Sequence, residues 1–375
     1  MIEKVKIRAV RSGREMREFV FFPEKLYCGD SNWVPPLWSD ELKSYHGEHN
    51  PILSNSDFTL LLARRGDRVV GRNLVYVDRA FNAYYKSTIG FFGAFECLDD
   101  PEVSAILLDE SEDWLRQRGM TAVRGPIHPV AESWGFLLQG YDSPPVFMAP
   151  YNPPYYHGLV SSRGYAKVKD LLAYEADAGS GYRIPDRFSR FCRTLSDRNP
   201  RLTVRRIDPR RLQRDAEYIW EISNISLKSN WGYVPLDRKV LQDMIAKLKP
   251  VLDPDAVWLA FDGGRAVGYC LGFPDMNTIL ARIRGRLLPF GFLHLLAGIK
   301  KIRRYRLFGL AVLPEYQNRG LDVLLYVSLH DALVPRRIRL EANYILEDNF
   351  KIRNPLEKMD LRLTKTYRIY EKALS

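Results

Sequence analysis

At 375 residues the chain is longer than one ordinary domain; single cores stop growing near ~250–300 residues, so two domains are expected. Apolar residues make up 46% and charged residues 27%, a balance that excludes a disordered chain. The longest near-continuous apolar run, Leu287 to Ile299, falls short of the roughly 20 residues of a membrane-spanning helix, and the net charge of +11 points to an anionic partner.

The first residues, Met1-Ile2-Glu3-Lys4-Val5-Lys6-Ile7-Arg8, alternate charged with apolar side chains. They lack the apolar core of about 7–15 residues that a signal peptide needs, so no export is expected. Cys28, Cys97, Cys192 and Cys270 lie far apart, without the CxxC spacing of zinc or redox sites, which fits a cytoplasmic protein. His46 and His49 sit in a polar stretch without other ligands, and His128, His157, His294 and His330 are scattered, so no metal is expected.

Val5 to Val10 alternates with the period of a strand, and a charged, partly amphipathic stretch follows with the period of a helix. Two apolar runs then flank Gly66-x-Arg68-x-Val70-Gly71, the pattern of a hairpin. Thr88 to Phe95 reads as a strand and Glu102 to Arg118 as a helix. Next comes a long segment from Gly125 to Tyr156, rich in proline and aromatic residues and containing His128, Glu132, Ser133, Trp134 and Asn152. It reads equally as a binding loop or as a packed loop bridging two copies of a fold. His128 reads as a hydrogen-bonded loop histidine, and Ser133 lacks the Gly-x-Ser-x-Gly elbow of a serine hydrolase.

The pattern then repeats. Ser31-Asn32-Trp33 followed by Pro36-Leu37 recurs as Ser229-Asn230-Trp231 followed by Pro235-Leu236. Leu62-Ala63 with Gly66, Arg68, Val70 and Gly71 recurs as Leu259-Ala260 with Gly263, Arg265, Val267 and Gly268. Asn152 corresponds to Asn349, and Lys169 with Tyr174-Glu175 corresponds to Lys365 with Tyr370-Glu371. Four matches in order at nearly one offset identify an internal duplication. The second copy opens with the strand pattern Leu202 to Ile207 and continues with strand Arg306 to Val312 and helix Leu321 to Leu333. Gly179-Ser180-Gly181 is the expected linker.

In the second copy Leu310-Ala311-Val312 ends a strand, Pro314 to Asp322 forms a short loop, and Val323-Leu324-Leu325-Tyr326-Val327 opens a helix. Such a junction directs unpaired N–H groups and the positive end of the helix dipole at one point, where an anion belongs. Gly320 removes a Cβ from the path of a phosphate and Arg319 adds a charged donor. Asp322 suits the dipole but would repel a diphosphate if its carboxylate pointed inward. The first-copy counterpart, Phe95-Glu96-Cys97-Leu98-Asp99-Asp100-Pro101-Glu102, carries four carboxylates and no glycine, so no diphosphate is expected there.

Val312, Pro314, Tyr316, Gln317 and Gly320 resemble the acyl-CoA loop of the GNAT superfamily of N-acyltransferases, which reads Gln/Arg-x-x-Gly-x-Gly/Ala after a strand of the form Val-x-Pro-x-Tyr. The order of elements in each half is similar to that fold. The resemblance implies an α/β fold with a mixed sheet, duplicated in tandem. Residues 1–178 would form a domain with a degenerate loop. Residues 182–375 would bind acetyl-CoA or a longer acyl-CoA as co-substrate through Leu310, Ala311, Val312, Gln317, Asn318, Arg319, Gly320, Leu321, Asp322 and Asn349. Asp322 stands where the family has Gly or Ala. Pro355 and Leu356 occupy the region where the family's helix often carries the tyrosine that protonates the departing thiolate.

The chemistry so implied is direct attack of a neutral amine on the thioester while backbone N–H groups polarise its carbonyl. Glu341 and Glu347, on or just after the strand that would flank the thioester, are candidate bases; Tyr344 and Tyr156 are candidate donors to the thiolate. A structural role is the alternative for each. The acceptor is expected to be a small-molecule or lipid amine. Arg282, Arg284, Arg286, Lys300, Lys301, Arg303, Arg304 and Arg306 lie between Asp275 and Glu315 with no acidic residue among them. This window reads as a solvated basic surface, an attractor for coenzyme A, a contact with an anionic membrane surface, or a contact with RNA. Tandem proteins of this kind resemble bacterial N-acyltransferases that acylate long-chain amines, as in ceramide formation. Two other readings keep the fold: transfer of an aminoacyl group from tRNA, and a non-catalytic duplicate that binds a ligand or protein. No DNA partner is expected.

Overall fold

A computed structural model describes residues 3–129, 133–235, 237–238, 241–242, 245–246 and 249–374. Glu132 and Leu236, singled out above, lie outside the described residues. The chain forms two compact units. The first comprises Met1–Leu171, Ile279–Leu295 and Lys365–Ser375, and the second Leu172–Thr278 and Leu296–Thr364. Both mix helices with a mixed sheet, which is the α/β architecture that the alternating strand and helix periods predict.

In the first unit the sheet order is β1 (Val5–Ala9), β2 (Ser56–Arg65), β3 (Arg68–Asp78), β4 (Ile89–Cys97), β5 (Ala122–Gly125) and the end of β13 (Arg362–Ala373), with β6 (Phe136–Gln139) also on β13. β1 to β4 run antiparallel, β4 and β5 parallel, and β5 and β13 antiparallel. Helix Pro101–Arg116 buries Val103, Leu107, Leu108 and Leu115 at helical spacing against Val75, Phe92 and Val123. Truncating one of these leucines to alanine costs about 2–5 kcal/mol. Gly90 is where the helix comes closest, since a Cβ there would lie 2.3 Å from Leu115 Cδ2.

In the second unit the order is β8 (Leu202–Arg206), β9 (Val257–Asp262), β10 (Arg265–Pro274), β11 (Arg304–Val312), β12 (Arg339–Leu346) and the end of β7 (Ala166–Asp177). β8 to β11 run antiparallel, and β11 and β12 parallel. Helix Leu321–Leu333 buries Leu321, Leu324, Leu325, Tyr326, Val327, Leu329 and Leu333, so it is packed on more than one face, as an almost wholly apolar helix must be.

Each unit is therefore closed by a strand from the other half of the sequence. The division falls between Leu171 and Leu172, inside β7. Gly179-Ser180-Gly181, expected as a linker, instead folds as a turn within the second unit. Asp177 Oδ1 accepts the Gly179 and Ser180 N–H groups at 2.8 and 3.2 Å, and Ala178 N–H donates to Ile338 O at 2.9 Å. Glycine content marks a turn, but the partner of a strand is fixed by long-range hydrogen bonding that no local pattern carries.

Candidate functional site

The second-unit loop follows directly from β11. A 3-10 turn at Pro314–Tyr316 leads to Gln317, and helix Leu321–Leu333 starts at Gly320 without a side-chain cap. Asn318 and Gly320 hold φ of 60° and 81°, the left-handed region that glycine adopts freely and asparagine tolerates. The turn is latched at several points. Tyr316 Oη donates to Asp262 Oδ2 at 2.8 Å, Arg265 pairs with Glu315 at 2.8 Å, and Gln317 Nε2 donates to Val312 O at 3.2 Å. Lys351 Nζ donates to Gln317 Oε1 at 3.3 Å, which ties the loop to helix Phe350–Lys358. Asn318 and Arg319 are exposed, and the Arg319 guanidinium lies 5.5 Å from the centre of the Tyr316 ring.

An uncapped, cationic turn of this shape fits a diphosphate on the side of Asn318 and Arg319. Two features work against the anion elsewhere. Burial raises the Asp322 carboxyl above its ordinary value while the N–H groups of Val323 and of Asp322 itself pull it down, so the carboxylate already faces the first turn of the helix. Gly320 does not leave its outer face clear for a phosphate: a Cβ there would lie 2.4 Å from Phe191 Cζ, because helix Asp186–Arg198 packs its Phe191 ring on the glycine. That contact runs from one helix to a loop far along the chain, and the loop motif alone gives no sign of it.

β11 and β12 pair over four positions only, Arg304↔Arg339 to Leu307↔Ala342, and both strands continue beyond. Leu310, Ala311 and Val312 lie on the far part of β11, of which Ala311 and Val312 are buried and paired with β10. Where two parallel strands part, their facing backbone groups become available to a ligand. In the first unit the equivalent opening is filled by the chain itself. Ile127 N–H donates to Phe92 O at 2.8 Å, and a Cβ on Gly93 would lie 2.5 Å from Ile127 O.

Of the candidate acid–base residues, Glu341 is 1% exposed and its Oε2 accepts from Arg304 at 3.1 Å while Oε1 accepts from Asn343 at 2.8 Å. Arg304 also lies 3.5 Å from buried Asp275. The arrangement balances the buried guanidinium with carboxylates, which makes Glu341 a countercharge. Tyr344 is half-buried with the Arg306 guanidinium 5.2 Å from its ring centre. Glu347 follows the strand, half-buried, and its carbonyl accepts from Arg353 at 2.5 Å. Asn349 caps helix Phe350–Lys358 through its backbone, its side chain making no cap bond.

Tyr156 is not with these groups. It lies in the first unit, fully buried, with its hydroxyl donating to Glu96 Oε2 at 2.7 Å and accepting from Cys97 N–H at 2.8 Å. A hydroxyl so engaged is part of the core. In the second unit the helix without a tyrosine does meet one: Tyr174 of β7 donates to Glu357 Oε1 at 2.6 Å and accepts from Arg353 Nε at 3.2 Å. In the sequence the position is marked by the repeated Tyr-Glu pair at 174–175 and 370–371.

The first unit holds its own polar cluster, which sequence reasoning missed. At the end of β4, Glu96 accepts from both Tyr27 and Tyr156 at 2.7 Å and lies 3.9 Å from Arg72, with 12% of its side chain exposed. Burial pushes its carboxyl up to about 7, against the pull of Arg72 and the two hydroxyls. Beside it Tyr45 donates to Glu41 at 2.7 Å and meets His128 Nε2 at 3.0 Å, and burial holds the His128 ring below its ordinary value. Asp100 accepts from Glu102 and Val103 N–H at 3.0 and 3.3 Å and pairs with Arg65 at 2.9 Å, so the helix start that would attract an anion is already occupied. The proline-rich segment packs inside this unit: Asn152, 2% exposed, accepts from Leu137 N–H at 2.6 Å, and Lys365 Nζ donates to Ser143 O at 2.8 Å. Among the described residues no group of three or more His, Cys, Asp or Glu side chains could hold a metal, and no helix is long and apolar enough to cross a membrane.

These two units define a tandem GNAT fold. The chain matches a tandem GNAT protein from the clavulanic acid biosynthesis pathway over 99% of both chains, with TM-score 0.59 and 10% identity. It also matches a GCN5-related N-acetyltransferase from Sphaerobacter thermophilus over 99% of this chain and 96% of that one, with TM-score 0.55 and 12% identity. No family model matches the chain. Sequence similarity is more specific. The chain is 32% identical over 374 residues to a bacterial ceramide synthase of Caulobacter vibrioides, covering 97% of this chain and 96% of that one. It is 30% identical over 377 residues to protein YghO of Escherichia coli, covering 98% and 95%. The chain belongs to this family, that of the bacterial ceramide synthase, and family and fold together make it an N-acyltransferase.

Proposed function

We propose that the protein transfers an acyl group from acyl-CoA to the amino group of a long-chain lipid amine, and that the second unit receives the donor. The observation that carries this reading is the pairing of an uncapped, left-handed, cationic loop at residues 317–320 with the parting of β11 and β12 beyond Leu307 and Ala342. The first unit has neither feature open, since Asp100 caps the one and Ile127 fills the other. The relative's name supplies the acceptor class: a ceramide synthase acylates a lipid amine.

In the reaction so proposed the amine nitrogen attacks the thioester carbonyl, the new C–N bond forms, the C–S bond breaks, and coenzyme A leaves as thiol. Loop residues 318 and 319 hold the donor's phosphates, and strand N–H groups beyond Leu307 polarise the carbonyl. Glu347 is the base we assign to the amine proton, and Tyr344 or Tyr174 the donor we assign to the thiol proton. Glu341 holds Arg304 in place. The non-catalytic reading draws on the Asp322 carboxylate and the Phe191 ring at the loop. One assay decides between them: the protein with acyl-CoAs of increasing chain length and a long-chain 2-amino alcohol, read as free thiol and as N-acyl product by mass spectrometry. Product formation supports transfer; thiol release no faster than without protein sinks it.

A further inference from the structure

We infer that the segment around helix Gly291–Gly298 docks the protein on the surface of an anionic lipid bilayer. Leu288, Phe290, Phe292, Leu293 and Leu296 are 80%, 67%, 43%, 51% and 70% exposed. The helix they surround buries none of its residues. Large apolar side chains this exposed and this close in sequence cost solvation free energy unless something covers them.

The base of the segment is held rigidly in the first unit. Trp38 donates its backbone N–H to Gly285 O and its indole Nε1–H to Arg284 O, both at 3.1 Å, and Arg286 pairs with Glu24 at 2.7 Å. A Cβ on Gly285 would lie 2.0 Å from Pro36 O, so the turn tolerates only glycine. The apolar tip is thus presented by a fixed stem.

Charge selects the occupant. Exposed Arg282 and Arg284 precede the tip in sequence, exposed Lys300, Lys301 and Arg303 follow it, and no acidic residue occurs between Asp275 and Glu315. A second copy of the chain would bring one cationic flank against another, which repels. RNA would satisfy the cations and leave the leucines and phenylalanines in water. A bilayer with anionic headgroups satisfies both: the side chains enter the headgroup and acyl boundary, and the cations meet phosphate. Among the described residues no helix is long and apolar enough to cross the bilayer.

The inference rests on this surface and not on the proposed acceptor, so the two fail separately. The test is flotation with phosphatidylcholine vesicles and with vesicles containing phosphatidylglycerol, using the full chain, a Leu288→Asp/Phe290→Asp variant, a Lys300→Gln/Lys301→Gln variant and an Ile225→Asp control at an exposed apolar residue elsewhere. We expect binding to the anionic vesicles that weakens with salt, drops at least about tenfold in the double aspartate variant, drops less in the glutamine variant and is unchanged in the control. The aspartate variant should keep its unfolding midpoint and its transfer to a detergent-solubilised amine. Absence of wild-type binding to anionic vesicles would overturn the inference, as would undiminished binding of the aspartate variant. So would a wild-type dimer in sedimentation that the aspartate variant splits while vesicle binding persists.

Discussion

Tyr174, on the last strand of the first sequence repeat, donates its hydroxyl hydrogen to Glu357 at 2.6 Å on a helix of the second repeat. Its repeat counterpart Tyr370 lies 2.7 Å from His157 Nδ1 in the first unit. The neighbouring acids follow suit, Glu175 pairing with Arg339 of β12 at 2.5 Å and Glu371 with Arg124 of β5 at 2.6 Å. The duplication seen in sequence is therefore completed by exchange of the closing strands.

Replacing Tyr174 by phenylalanine removes a donor to Glu357 and an acceptor for Arg353 while keeping the ring. The expected loss of stability is about 1 kcal/mol, measured by urea unfolding. If Tyr174 also protonates the thiol, kcat falls at least about tenfold with KM for acyl-CoA unchanged; an unchanged kcat assigns that proton to Tyr344.

At Gly320, alanine introduces strain at φ of 81° and a contact with Phe191. The variant should lose about 1–3 kcal/mol, and part of that loss should be recovered in a Phe191→Ala background. A double-mutant cycle on unfolding free energy reads the coupling; strict additivity would mean that the ring yields without cost. Phe191→Ala alone should bind acyl-CoA more tightly by calorimetry.

The carboxylate of Asp322 competes for the N–H groups at the helix start. Asp322→Asn should therefore tighten acyl-CoA binding by roughly two- to fivefold, the range of one charge near a helix end. Weaker binding in this variant would show that the carboxylate supports the loop and does not oppose the donor.

Glu96 is raised from 4.5 to about 7 by burial. Between those values the folded state holds a proton that the unfolded chain releases, so the stability contributed by the protonated carboxyl is full below pH 4.5 and is lost as pH rises through about 7. Glu96→Gln, which cannot ionise, should flatten that decline, and the variant should exceed the wild type in stability at pH 8 while matching it more closely at pH 5. Parallel pH profiles for the two proteins would place the titration elsewhere.

Removing the countercharge at Glu341 is expected to act through folding. Glu341→Gln removes a carboxylate from beside Arg304 and should cost about 3–5 kcal/mol. Lost activity should then track the unfolded fraction by circular dichroism. A folded but inactive variant would restore Glu341 as a base.

The sequence by itself determined the duplication, the order of strands and helices, the hairpins at Gly66 and Gly263, and the loop from Gln317 to Gly320. All are written in patterns a few residues long: periods of two and 3.6, glycine where φ turns positive, a motif before a helix. Only the tertiary structure decided the exchange of β7 and β13, the Phe191 ring on Gly320, the placing of Tyr156 in a core and of Tyr174 at a helix lacking its own tyrosine, and the Glu96 cluster. Each depends on residues distant in sequence meeting with one geometry. Hydrogen-bond register and side-chain packing fix that geometry, and neither has a local signature.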